Sequence, residues 1–143
     1  MKSSSGIRSF SPLIREACQT NEFFNLLGKW GCGAIDGGCL MVALALKEVL
    51  NKGEIYALVG IVKHRKRKSY LHVLLRIGNL YIDGDGVTHK TLVLDRWNSS
   101  EYISEIEGLV PLTEPQIMIK KGTPLCKETI CLLVNYFNKQ LFN

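Results

Sequence analysis

Gly37-Gly38-Cys39-Leu40-Met41-Val42-Ala43-Leu44-Ala45-Leu46-Lys47-Glu48-Val49-Leu50 is the stretch that decides how this chain folds. From Cys39 to Leu46 no residue is polar, so the first two turns of the helix it predicts are apolar on every side. Such a helix is buried all round instead of lying on a surface. Eight apolar residues in a row fall well short of the roughly 20 that cross a bilayer, so the segment predicts a core helix and no transmembrane span. Positions 51–53 (Asn-Lys-Gly) end it. Four glycines and Asp36 in 31–38 predict an irregular loop feeding its N-terminus.

Beyond the helix the pattern changes to period two with β-branched and aromatic enrichment over 55–62, 70–77 and 80–83. This predicts a three-stranded antiparallel meander whose second turn is Gly78-Asn79, a two-residue hairpin signal. Ahead of the helix, Ser11-Pro12 reads as N-cap and first helical position, followed by a stripe of Leu13, Ile14, Ala17, Phe23, Phe24 and Leu27, broken near Thr20-Asn21. Further helices are expected over 88–97 and 128–142, the latter with Ile130, Leu133, Val134, Phe137 and Leu141 on one face. Between them, Pro111 and Pro115 restrict regular structure to short edge strands over 109–112 and 116–119. The expectation is one α+β domain over 9–143, a buried helix on a small antiparallel sheet with flanking helices, behind a disordered tail over 1–8.

Composition narrows the class of partner. The 143 residues carry 18 Lys and Arg against 13 Asp and Glu. Five of the basic residues, Lys63, Arg65, Lys66, Arg67 and Lys68, fall in the first turn of the meander and account for the whole excess. A nucleic-acid surface spreads its charge along a face or a helix, so a nucleic-acid partner is disfavoured. The local reading is a solvated hairpin tip, and the functional one is a contact for an acidic protein or nucleic acid. Ser3-Ser4-Ser5-Gly6 stands where a secretory signal would be apolar. The five cysteines, an odd number, point to reduced thiols and a cytoplasmic setting. Their spacing lacks the close pairs of a zinc site, so neither metal nor cofactor is expected.

A cysteine nucleophile works as a thiolate, and a helix N-terminus with a neighbouring imidazole favours that form. Cys39 stands at such a terminus. Gly37 and Gly38 before it let a substrate backbone approach and leave the Cys39 amide open as an oxyanion donor. His72 sits on an otherwise apolar strand and is the candidate base. With Ile77 paired to Leu80, Asp85 falls opposite His72 and Asp83 diagonal to it, so spacing leaves both open as the orienting carboxylate. Cys18, Cys126 and Cys131 read as core thiols, and His64 and His89 as surface residues.

A Gly-Gly-Cys opening a buried helix, then His72-Val73-Leu74-Leu75, then Tyr81-Ile82-Asp83-Gly84, resembles the transglutaminase-like and arylamine N-acetyltransferase branch of the papain-like cysteine enzymes. The order Cys, His, Asp matches. The resemblance covers positions 37–86 and implies a papain-like core with a triad of Cys39, His72 and Asp83, the acid following aromatic and aliphatic residues on the strand after the histidine. The sequence departs from the pattern in carrying Asp36 ahead of the glycines and no glutamine over 29–38 to complete the oxyanion hole, for which Gln19, Asn25 and the Trp30 indole stand open as substitutes. Trp30-Gly31-Cys32-Gly33-Ala34 is similar to the loop of bacterial leader-cleaving cysteine peptidases, which makes Cys32 the alternative nucleophile. Together these imply cysteine-dependent acyl transfer from, or hydrolysis of, an amide in a protein or peptide: a protease or deamidase, or a transglutaminase if an amine is the acceptor. The competing expectation is a catalytically silent papain-like module that binds or inhibits through the basic turn.

Overall fold

The computed structural model describes residues 3–28, 38–64, 68–113 and 127–142. Three short helices, α1 (Ser3–Arg8), α2 (Ser11–Ala17) and α3 (Asn21–Gly28), precede the long α4 (Gly38–Leu50). A meander follows, β1 (Glu54–Val62), β2 (Lys68–Ile77), β3 (Leu80–Asp83) and β4 (Gly86–His89), then α5 (Lys90–Asn98), β5 (Ile103–Pro111) and the closing α6 (Lys127–Phe142). The five strands form one antiparallel sheet in the order β4-β3-β2-β1-β5.

As its sequence requires, α4 is buried: Cys39, Leu40, Met41, Val42, Ala43, Ala45 and Leu46 are all 5% exposed or less. It lies between β2 and α6. Ile55, Ala57, Val73, Leu75, Ile77 and Ile82 meet it from one face of the sheet, with Phe23, Leu133 and Phe137 closing the same core. On the other face Leu58, Leu74, Tyr81 and Val93 form a smaller cluster under α5. Two apolar faces on one sheet explain why β2 and β3 read as nearly continuous hydrophobic runs.

Several expectations are corrected. The meander has a fourth strand, β4, where the helix was expected from 88, because Gly84-Asp85 makes a second two-residue turn that pairs Asp83 with Gly86 and returns Val87 and Thr88 to the ladder. The helix starts only at Lys90. The edge strand expected over 109–112 is the longer β5, which tolerates Pro111 because it ends there on the sheet's edge. Ser11 does not cap its own helix: its Oγ accepts a hydrogen bond from the Val87 backbone N–H at 2.9 Å, tying α2 to β4. Within the segment expected as a tail, Ser3–Arg8 is helical and Ile7 is buried. Cys131 is exposed, not core, since it falls beside the buried stripe of α6. The strand expected over 116–119 and Cys126 lie outside the described residues.

The link from α4 to β1 depends on backbone that side chains resist. Asn51 leaves the helix at φ 56 and Gly53 adopts φ 104. A Cβ on Gly53 would stand 2.7 Å from Leu75 Cδ1 and 2.9 Å from the Arg76 carbonyl oxygen. Positive φ and overlap with backbone add, so Gly53→Ala is expected to cost about 2 kcal/mol or more in urea unfolding; an unchanged midpoint would contradict the geometry.

Candidate active site

At the N-terminal end of α4 the fold brings three of the expected residues together. His72 Nε2 lies 2.8 Å from Asp83 Oδ2, and the two side chains are 12% and 6% exposed. Cys39, 5% exposed, acts on the same ring through hydrogen bonding and charge. The ring's other nitrogen, Nδ1, is buried. With Nε2 taken by Asp83, Nδ1 is the nitrogen left for the thiol.

A defect in the sheet lies directly beside His72. The β1–β2 register shifts between Leu58 and Val59, so that Leu58 pairs with His72, Val59 pairs with Tyr70, and Leu71 has no opposite residue. Tyr70 accordingly packs into the α4 core with Val73, while Leu71 packs into the α5 cluster with Leu74. A bulge of this kind twists a strand and redirects the side chains beside it. The sequence carries no local signal for it.

The register between β2 and β3 is the expected one, with Ile77 opposite Leu80 and Leu75 opposite Ile82. Asp83 is nevertheless the carboxylate on His72. The chain turns at Gly84-Asp85, carrying Asp85 away from β2, and Asp85 is 68% exposed and bonded instead to Arg96 Nη1 at 2.6 Å. Asp83 Oδ1 accepts the Asp85 backbone N–H at 2.9 Å, so both of its oxygens are engaged.

Burial works against charge at His72, yet the hydrogen bond and charge of Asp83, with those of Cys39, outweigh it and raise the imidazole to about 9. Burial likewise pushes Asp83 up, and the His72 hydrogen bond and charge, the Asp85 N–H and Arg96 pull it below the usual carboxylate range. Near neutral pH the arrangement is therefore imidazolium beside carboxylate.

Three contributors were not legible as site residues. Trp97 stacks on His72, centroids 5.2 Å apart and tilted by 32°, a geometry that favours a charged ring. Arg96 reaches Asp83 as well as Asp85. Cys18 lines the same cavity, its thiol pushed up to about 12 by burial and by the charges of Asp83 and Asp85. The cavity, about 640 Å³, runs past Cys39 and His72 between Phe23, Phe24, Trp97 and Tyr102. Phe24 and Tyr102 are exposed at its rim.

Of the other expected positions, Gly38 opens α4, whereas Trp30, Cys32 and Gly37 lie outside the described residues, as do Arg65, Lys66 and Arg67. Lys63 and His64 are exposed, as is His89. Lys68 is exposed and ion-paired to Glu107 on β5. Among the described residues no group of three or more His, Cys, Asp and Glu could hold a metal ion, and no helix is long and apolar enough to cross a membrane. Comparison with known families, with curated proteins and with solved structures finds no match to this chain.

Proposed function

We propose that this chain is a cysteine-dependent acyl-transfer enzyme with a papain-like, transglutaminase-like core, acting on amides of a protein or peptide. The observation that carries the reading is the buried His72–Asp83 pair set against Cys39 in the first turn of α4. Desolvating an ionised imidazole and a carboxylate is costly, and the cost has a use where a thiol must be kept as thiolate. The helix terminus adds to that, and its first N–H groups, without intrahelical partners, suit a developing oxyanion.

In this mechanism the Cys39 thiolate attacks the amide carbonyl, forming the C–S bond. His72 gives its proton to the departing amine as the C–N bond breaks, and Asp83 holds the ring through Nε2. Water then attacks the thioester, His72 takes its proton, and Cys39 leaves as thiolate. An amine in place of water makes the reaction a transamidation. A reducing, cytoplasmic setting suits such a thiol.

Mass-spectrometric mapping of iodoacetamide labelling tests the reading. At pH 6, Cys39 is expected to label far faster than Cys18 or Cys131, since of these three it is Cys39 that acts on the His72 imidazole. Uniformly slow labelling would remove the enzyme reading and favour the binding module, whose function would survive Cys39→Ala and fail on neutralising the 63–68 turn.

A further inference from the structure

α5 is a mostly exposed helix in which only Val93 is buried. Its last turn nonetheless sends two consecutive side chains into the site. Trp97 meets the face of His72. Arg96 spans two carboxylates, with Nη1 2.6 Å from Asp85 Oδ2 and Nη2 3.5 Å from Asp83 Oδ2. That second oxygen is the one bonded to His72 Nε2. One carboxylate oxygen therefore faces two cations, and the charge it offers to either depends on the other.

We propose that Arg96 is a positioning residue of the Cys39–His72–Asp83 site, fixing the Asp83 carboxylate and limiting its pull on His72 in balance with Asp85. The inference rests on the catalytic reading above but concerns the electrostatics of the pair, which are measurable without turnover. Among the described residues, the charged and titratable groups around His72 are Asp83 on β3, Cys39 on α4, Arg96 on α5 and Asp85 in the β3–β4 turn, with Cys18 and Tyr102 also lining the cavity. Removing the Arg96 cation leaves Asp83 and Asp85 to act on His72 unopposed, which favours the imidazolium. Removing the Asp85 charge takes away an anion and releases Arg96 toward Asp83, which disfavours it. The two changes act in opposite directions, a pattern that loss of packing does not produce.

The experiment is an NMR titration of the His72 Cε1 proton, assigned with His72→Ala among the three histidines, in wild type, Arg96→Gln, Arg96→Lys and Asp85→Asn. Because Arg96 is partly exposed, the expected shifts are modest: up by roughly half a pH unit in Arg96→Gln, down by a similar amount in Asp85→Asn, and close to wild type in Arg96→Lys. An unmoved or downward midpoint in Arg96→Gln, or an upward one in Asp85→Asn, overturns the proposal. If Arg96→Gln does not fold, Asp85→Asn and Arg96→Lys decide it on the same terms. Rapid Cys39 labelling at pH 6 with an unmoved His72 would remove only the role of Arg96, whereas slow Cys39 labelling would remove the enzyme reading whatever His72 does.

Discussion

His72→Ala is expected to slow iodoacetamide labelling of Cys39 at pH 6 by about 30-fold or more. Without the imidazolium the thiol returns to an ordinary value near 8.5 or higher, and at pH 6 only about 0.3% of it is then thiolate. That alone is a loss of about 300-fold. A more basic thiolate is intrinsically more nucleophilic, which returns roughly a factor of ten. Amide hydrolysis should fall further, by about a thousandfold, since in the proposed mechanism His72 also supplies the leaving-group proton and activates water. The comparison is a pseudo-first-order rate measured by peptide mapping, with Cys131 as internal reference. Equal Cys39 rates in the two proteins would mean that the thiol owes nothing to the histidine, and the triad would be a structural ion pair.

Asp83→Asn is expected to reduce turnover by about a hundredfold to ten-thousandfold while leaving Cys39 in place. An asparagine can still accept the Asp85 N–H through its oxygen, but its amide then donates to His72 Nε2. The one proton of the neutral ring is forced onto Nδ1, and no lone pair remains there to receive a proton from the thiol or from water. The Asp83 hydrogen bond and charge that help lift His72 to about 9 against burial are also gone, so its midpoint falls. Stability gives a second readout. In the wild type, the His72 midpoint is raised from 6.5, so its contribution is complete below about pH 6.5 and is lost as pH rises through about 9. The midpoint of Asp83 is lowered from 3.8, so its contribution is present above that value and is lost as pH falls through its folded midpoint. Urea unfolding should therefore weaken between about pH 6.5 and 9 in the wild type. In Asp83→Asn that slope should largely disappear. A variant with full turnover and an unchanged slope would refute the assignment of Asp83.

The resulting site combines residues of very different legibility. Cys39 was readable because two glycines and an apolar helix are local features, carried by neighbouring residues and the periodicity of a single element. His72 was readable as a polar residue on an apolar strand. The choice between Asp83 and Asp85 was not settled by spacing, and the resemblance that favoured Asp83 drew on a motif, not on contacts. What separates the two acids in the structure is a turn: Gly84-Asp85 sends the chain back along β3, and Arg96 holds the second acid outside.

By itself the sequence determined the α+β class, the burial of α4, the first three strands of the meander and the order in which cysteine, histidine and aspartate arrive, because periods of 3.6 and 2 and short turn signals are properties of contiguous residues. Only the tertiary structure decided the bulge at Leu71 that redirects β2 beside His72, the fourth strand, the stacking of Trp97, the bridge of Arg96 and the place of Cys18 in the same cavity. Each of these depends on which distant segments meet: a bulge exists only relative to a partner strand, and an ion pair only relative to the helix that delivers the other charge.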